Sequence, residues 1–170
     1  MPDPGAYAGF ARTSPLYSPA DRARRDATIW TQVQAVLAPL QFVVFAVSLA
    51  LVIRAVSTGE GYGLAAASIL AKTAILYAIM ITGAVWEKVV FGQYLFAPAF
   101  FWEDVVSMAV VTLHSAYVAM YCLSLGTPEQ QVAVALAAYG LYLINAVQFV
   151  WKLRQARLAE GPGAPLEAGR

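Results

Sequence analysis

Hydrophobic residues along this chain fall in four long windows separated by short polar or glycine-containing stretches. The windows cover residues 29–53, 61–86, 105–125 and 130–151, and Lys72 is the only Lys, Arg, Asp or Glu inside any of them. Each window can cross the roughly 30 Å apolar core of a bilayer as an α-helix, which rises about 1.5 Å per residue. The pattern predicts four transmembrane helices, at about 29–54, 63–87, 103–125 and 130–154.

The outer connections between these windows are short. Residues 57–63 and 126–129 join the first helix to the second and the third to the fourth, and Gly59, Gly61 and Pro128 mark the turns. Helices joined by so few residues must be antiparallel neighbours. We therefore predict an all-α polytopic membrane protein with one antiparallel bundle.

Composition supports a single membrane domain. The chain is 60% hydrophobic and 12% charged, with a mean hydropathy of +0.62. A soluble domain carries roughly twice that share of charged residues. The four windows fill most of the 170 residues. We expect a flexible tail over 1–27, a transmembrane catalytic domain over 28–157 and a disordered tail over 158–170.

The distribution of positive charge predicts the orientation in the membrane. Basic residues precede the first helix, lie between the second and third helices, and follow the fourth: Arg12, Arg22, Arg24, Arg25, Lys88, Lys152, Arg154 and Arg157. Cytoplasmic loops carry such an excess of Lys and Arg. We expect both termini and the 86–104 segment to face the cytoplasm. The N-terminus lacks the apolar stretch of a cleaved secretory signal.

Several chemistries are excluded or disfavoured by residue counts. Cys122 is the only cysteine and His114 the only histidine, so one chain has neither a redox pair of thiols nor two axial imidazoles for a membrane haem. No cluster has zinc-like spacing, no glycine-rich phosphate loop occurs, and no nucleic-acid pattern accompanies the basic residues. Acid and base chemistry remains, with no cofactor and no protein-bound metal expected.

The segment between the second and third helices, WEKVVFGQYLFAPAFFWED at 86–104, places acidic residues at both ends of an aromatic stretch. Fourteen residues between Lys88 and Glu103 carry no charge and six are aromatic, which is too short to cross a bilayer as a helix. The segment should lie in the interface or fold back against the protein. It is either a surface for a flat apolar substrate or an interfacial aromatic belt.

Three carboxyl groups should gather at the cytoplasmic rim of the bundle. Glu87 ends the second helix, and Glu103 with Asp104 begins the third, which runs antiparallel to it. Repulsion between neighbouring anions and loss of water favour a carboxyl group that keeps its proton and can act as a general acid. The alternative is structural: Glu87 pairs with Lys88 or a tail arginine, and the other two stabilise a helix N-terminus.

Two ionisable residues lie at membrane depth. His114 is about 16 Å deeper than Glu103 on the third helix, so the two cannot touch the same atom. His114 could ligate a bound tetrapyrrole's metal, relay a proton or hydrogen-bond to a neighbouring helix. Lys72 either snorkels or points inward to a polar partner. Gln41, Asn145 and Gln148 are candidates for hydrogen bonds between helices or for orienting a water or a substrate carbonyl.

Three segments of the chain resemble a known family. They are RRDATIWTQVQAVLAPLQF at 24–42, the 86–104 segment and LHSAY at 113–117. They resemble the signature segments of the 3-vinyl bacteriochlorophyllide hydratase family, also called 2-vinyl bacteriochlorophyllide hydratase, over roughly residues 15–158. The resemblance implies a hydro-lyase of bacteriochlorophyll synthesis in the bacterial inner or intracytoplasmic photosynthetic membrane, with a magnesium tetrapyrrole as substrate.

The implied reaction adds water across the 3-vinyl group of chlorophyllide a or a bacteriochlorophyllide to give a 1-hydroxyethyl group. We expect Glu103 to be the acid and Asp104 or Glu87 the base, with exchange of the two roles open. Phe91, Tyr94, Phe101 and Trp102 are candidates for contact with the ring. Candidates for binding the substrate propionate are Lys88, Arg24, Arg25 and Lys152. His114 or Gln41 could be the axial ligand of the substrate magnesium.

Two other functions compete with a hydratase. A non-catalytic pigment-binding or assembly protein would keep an aromatic slot and an axial ligand but would not need clustered carboxyls. A proton-coupled exporter would need an acid deep in a span, whereas every acid here lies at a helix end. The expected partners are the lipid bilayer and a tetrapyrrole, with no nucleic acid. A patch of small residues offers a face for self-association: Ala65, Ala66, Ala67 and Ala71.

Overall fold

The computed structural model describes residues 16–159, which form five helices and no strand. The helices are α1 (Pro19–Ala27), α2 (Ile29–Thr58), α3 (Tyr62–Phe91), α4 (Phe101–Cys122) and α5 (Pro128–Ala159). The four helices α2–α5 are long and apolar enough to cross a membrane. The predicted all-α fold with four spans is confirmed. The tail residues 1–15 and 160–170 lie outside the described residues.

Tight turns join the long helices into two hairpins. Gly59 and Gly61 adopt left-handed backbone conformations between α2 and α3, with φ of 73° and 82°, and Gly126 does so between α4 and α5 with φ of 74°. Glycine reaches this region without the steric cost of a Cβ atom. Helix α2 packs along α3 and α4 along α5, whereas contacts between the two hairpins are fewer. We call the boundary between the hairpins the seam.

Aromatic residues fill the middle of the seam between α2 and α5. The ring of Phe45 lies 5.3 Å from that of Tyr139 and 4.9 Å from that of Tyr142, measured between centroids. Large apolar side chains on the outward faces of the four helices are exposed, as a lipid-facing surface requires. The protein core is therefore a narrow column along the bundle axis.

Helix α1 differs from the expectation of a flexible tail. Residues 19–27 form a helix because Ser18 and Asp21 make a reciprocal capping box and Pro19 occupies the first turn. Hydrogen bonds from Ser18 hold the pKa of Asp21 below its usual value. Arg24 Nε donates to the Val90 carbonyl at 2.7 Å, so α1 lies across the end of α3. The sequence signal was SPAD at 18–21, a capping pattern.

The segment expected to be interfacial is partly helical. Helix α3 continues through Glu87 to Phe91, and Gly92 ends it with φ of 87°. The connection of residues 92–100 then folds back against the protein, with Ala97 and Phe100 buried, while Trp102 at the start of α4 is 68% exposed. Lys88 Nζ donates to the Gly92 carbonyl at 2.7 Å and so closes the end of α3. This turn brings the end of α3 close to the start of α4.

Candidate functional site

The carboxyl groups of Glu87 and Asp104 lie close together where α3 ends and α4 begins, because two consecutive backbone amides donate to them. Both side chains are buried, with 5% and 4% of each residue exposed. Two neighbouring carboxylates repel each other, and burial disfavours both charges, so such a pair favours a form in which one proton is kept. The two residues therefore form a buried carboxyl pair suited to hold a proton.

Two consecutive backbone amides orient the carboxyl pair. Ala97 N–H donates to Glu87 Oε2 at 3.2 Å, and Phe96 N–H donates to Asp104 Oδ2 at 2.7 Å. Phe96 has φ of 60°, an unusual value for a bulky residue. Strained backbone of this kind persists where the surrounding structure holds it and is common at functional sites. The bend at Phe96 aims both N–H groups at the pair.

Glu103 belongs to the same end of the bundle but has a different environment. Its Oε2 lies 2.5 Å from Lys152 Nζ, and its charge acts on the neighbouring Asp104. Asn145 Nδ2 donates to the Glu103 carbonyl at 3.0 Å and to Ser107 Oγ at 2.9 Å. Glu103 is therefore paired with a cation, whereas Glu87 and Asp104 face each other.

The candidate ring-binding residues divide into two groups. Phe91 packs inside the protein against Trp86 and Phe100, with centroids 5.7 Å and 6.0 Å away, so it does not belong to an open surface. Tyr94, Phe101 and Trp102 are exposed beside the carboxyl groups. We call these last three the exposed aromatic group. A cavity of about 180 Å³ lies at the opposite end of the bundle and has no carboxyl group in its wall.

The basic candidates lie at the same end as the carboxyl groups and each contacts another protein group. Arg25 Nε donates to Asp26 at 2.8 Å, and its guanidinium lies 4.7 Å from the Tyr17 ring centroid. Lys88 is exposed and lies 5.4 Å from the Tyr94 ring centroid, which places its ammonium beside the exposed aromatic group. Lys152 Nζ donates to Glu103 Oε2.

His114 is bonded within the protein through both ring nitrogens. Nδ1 lies 2.8 Å from the Val110 carbonyl, which can only accept, so Nδ1 carries the hydrogen and Nε2 accepts from Lys72 Nζ at 2.9 Å. Neither nitrogen is free for a metal in this conformation. Ligation of the substrate magnesium by His114 would require one of these contacts to break, and the arrangement favours a hydrogen bond to a neighbouring helix.

Lys72 points inward and does not snorkel. Its ammonium lies 3.9 Å from the centroid of the Tyr142 ring as well as against His114, and both Lys72 and His114 are fully buried. A cation–π contact and an acceptor nitrogen lower the cost of a cation at membrane depth. These residues join α3, α4 and α5 far from the carboxyl groups.

The glutamine side chains in the bundle differ in whether they have a hydrogen-bond partner. Gln34 Nε2 donates to Thr82 Oγ1 at 2.8 Å, a hydrogen bond between α2 and α3. Gln41 is 3% exposed and its Oε1 atom is buried with no hydrogen-bond partner, and the same is true of Gln148 Oε1. Buried acceptors without a donor are rare in folded proteins. Sequence reasoning placed Gln41 and Gln148 at membrane depth but could not show that their oxygens lack a donor.

Comparison with known proteins identifies the family. A family model described as 2-vinyl bacteriochlorophyllide hydratase matches residues 17–155. Two relatives of that name, from Rhodobacter capsulatus and Cereibacter sphaeroides, are each 65% identical over 144 residues. The alignments cover 84% of this chain and 83% and 89% of the relatives. No solved structure matches. The chain belongs to the 2-vinyl bacteriochlorophyllide hydratase family and is a hydratase of bacteriochlorophyll biosynthesis, not a non-catalytic pigment carrier.

Proposed function

We propose that this protein adds water across the 3-vinyl group of chlorophyllide a or a related bacteriochlorophyllide, giving a 3-(1-hydroxyethyl) product. The observation that carries the proposed mechanism is the buried pair of Glu87 and Asp104, held by consecutive amides, beside the ion-paired Glu103. The reaction takes place in the inner or intracytoplasmic photosynthetic membrane of a bacterium, with the carboxyl groups at the cytoplasmic side. It needs no redox cofactor.

The first step is transfer of a proton from the carboxyl pair to the terminal vinyl carbon. That carbon becomes a methyl group, and the positive charge develops on the carbon attached to the ring, where the macrocycle delocalises it. The pair is then doubly ionised, and the N–H groups of Phe96 and Ala97 stabilise the additional negative charge. The anionic pair in turn stabilises the cation through space.

The second step is addition of water to the cationic carbon. Glu103, in contact with Lys152, takes the proton that water releases as the C–O bond forms. That proton returns to the pair through the neighbouring Asp104, so the site is restored with one water consumed. This assignment exchanges the acid and base roles expected from the sequence, where Glu103 was the acid.

The exposed aromatic group and Lys88 make the first contact with the substrate at the membrane surface. Tyr94, Phe101 and Trp102 present flat apolar faces that suit a macrocycle arriving from the lipid. Lys88 is exposed at the edge of this group and suits the propionate of a chlorophyllide, which chlorophyll with its esterified tail lacks. Arg25, which lies on α1, supplies a positive charge in addition to that of Lys88.

A direct assay tests the proposal. The protein purified in mild detergent is given 3-vinyl chlorophyllide a without oxygen in heavy-oxygen water, and the pigment's mass and visible spectrum are followed. We expect a gain of one labelled water and a shift of the red band to shorter wavelength. Binding of several vinyl tetrapyrroles with no gain in mass would refute the proposed reaction.

A further inference from the structure

The seam between α2 and α5 contains a buried carbonyl oxygen that lacks a donor. Gln41 is almost fully buried, and its Oε1 atom has no partner among residues 16–159. Gln34 lies on the same face of α2, two turns away, and its amide is hydrogen-bonded to Thr82. The unpaired oxygen is therefore particular to Gln41 and is not a general property of the amides on α2.

The position of Gln41 follows from the aromatic contact at the middle of the seam. Phe45 of α2 contacts Tyr142 of α5, and these two helices are antiparallel. Gln41 precedes Phe45 and Asn145 follows Tyr142, so both lie about one turn from that contact on the side of the carboxyl groups. Asn145 bonds to Ser107, which lies one turn along α4 from Asp104. Gln41 is thus in a layer about 5 Å deeper in the bundle than the Asp104 level.

A second unpaired oxygen lies on the opposite side of the seam. Gln148 is one turn from Asn145 toward the C-terminal end of α5, and its Oε1 atom is also buried without a partner among the described residues. The two hairpins therefore each contribute one acceptor with no donor, both near the carboxyl groups. An electron-poor group of a ligand is the kind of partner that satisfies such oxygens.

We propose that Gln41 Oε1 is the axial ligand of the magnesium at the centre of the substrate macrocycle, which lies in the seam against α2. This inference rests on the proposed function. Magnesium is a hard cation that prefers oxygen ligands, and the amide oxygen adds no charge in an apolar site. The nitrogens of His114, the other candidate ligand, are occupied.

Binding requires α2 and α5 to separate near the carboxyl groups. Phe42 is 40% exposed and packs on Tyr142 at 5.9 Å between centroids, so it is the outer side chain that the macrocycle displaces. With magnesium on Gln41, the ring extends toward Asp104, about one turn nearer the end of the bundle, and Glu87 lies beyond Asp104, past the level of the Gln34–Thr82 contact. The axial bond then fixes the distance of the vinyl group from its proton donor.

A binding experiment separates magnesium ligation from catalysis. Chlorophyllide a and magnesium-free pheophorbide a are titrated into the wild-type protein and into Gln41→Leu, with the dissociation constants measured by pigment fluorescence. We expect the variant to lose about tenfold or more of the preference for the magnesium pigment and to bind pheophorbide as before. Gln34→Leu is the matched control and should keep the full preference.

Resonance Raman bands that report the coordination number of the magnesium provide a second measurement. They should show an axial protein ligand in the wild type and its loss in Gln41→Leu. If that variant does not fold, Gln41→Asn, which keeps the amide but withdraws its oxygen, should give the same contrast. A folded variant that keeps the full preference for the magnesium pigment and the wild-type Raman bands would overturn the inference. The partner of the Gln41 oxygen would then be a bound water and not magnesium.

The outcomes also separate this inference from the proposed function. Gln41-dependent magnesium preference without hydration by the wild type would support the ligand and refute the reaction. Hydration by the wild type, with an unchanged magnesium preference in Gln41→Leu, would refute the ligand alone.

Discussion

Replacement of Glu87 by Gln tests the carboxyl pair with little change in shape. The Gln side chain keeps an oxygen that accepts from Ala97 N–H, and its amide nitrogen can donate to Asp104. The hydrogen bond between the two side chains is therefore retained. What the variant lacks is a proton that can be transferred to carbon.

The expected loss follows from the role of the proton. General acid catalysis contributes typically about 10²–10⁴-fold to the rate, which corresponds to roughly 2.7–5.4 kcal/mol of activation free energy. Glu87 makes no contact with the exposed aromatic group in the described part of the chain, so the dissociation constant for substrate should change by less than about threefold. Thermal stability should also be close to that of the wild type because the buried hydrogen bonds persist.

The assay is single-turnover hydration of 3-vinyl chlorophyllide a in heavy-oxygen water, together with pigment binding and thermal unfolding in detergent. Glu103→Gln is the comparison variant: it leaves Lys152 without its anion, so it should lower both turnover and stability. Full turnover by a folded Glu87→Gln protein would refute the assignment of the proton donor. Loss of substrate binding in that variant would show that the pair has a binding role and would refute the separation of roles.

Three further predictions concern the framework of the site. His114→Leu should destabilise the protein more than Lys72→Met, which should cost about 1–3 kcal/mol, because the first leaves the buried Lys72 amine with ring contacts alone and the second leaves a neutral nitrogen without its donor. Unfolding in detergent measures the difference, and equal losses would contradict the direction of this hydrogen bond. Phe96→Val should cost about 1–3 kcal/mol because of the left-handed backbone, whereas Phe96→Gly should cost less, in the same unfolding assay. Tyr17→Ala removes a buried ring that anchors α1, so trypsin should cleave the basic α1 segment faster than in wild type; an unchanged rate would show that α1 is held without Tyr17.

The sequence was sufficient for the bundle because a bilayer imposes simple requirements. Length, the absence of charge and the turn glycines predict four antiparallel helices, since only helices and closed barrels satisfy the backbone in lipid and windows this long suit helices. The predicted helix ends differ from the observed ones by up to five residues, and at α3 the difference places Glu87 inside the helix, which continues by one further turn. Hydropathy could not show that turn, since residues 88–91 would suit an interface as well as a helix.

The partners of the carboxyl groups could not be predicted from the sequence. The contact of Glu87 with Asp104 depends on a left-handed conformation at Phe96, where no glycine marks the bend. The ion pair between Glu103 and Lys152 joins residues 49 positions apart, and no local pattern indicates it. Local patterns predicted that the three carboxyl groups gather at one end of the bundle, whereas tertiary contacts determine which partner each of them has.

The distribution of polar contacts along the seam indicates which half of the bundle can open. At the depth of Lys72, the contact with His114 joins α3 to α4, and a hydrogen bond of 2.5 Å between Ser48 and Tyr139 joins α2 to α5. Breaking these contacts in lipid would leave polar groups without water to replace their partners, so this half resists separation. On the side of this layer that faces the carboxyl groups, α2 and α5 meet through the Phe42–Tyr142 contact, and Gln41 has an unpaired oxygen. Separation there costs apolar contacts that lipid or a macrocycle can replace. The half of the seam that can open is therefore the half that contains the acid pair, and the polar contacts beneath it limit how deep the ring can enter.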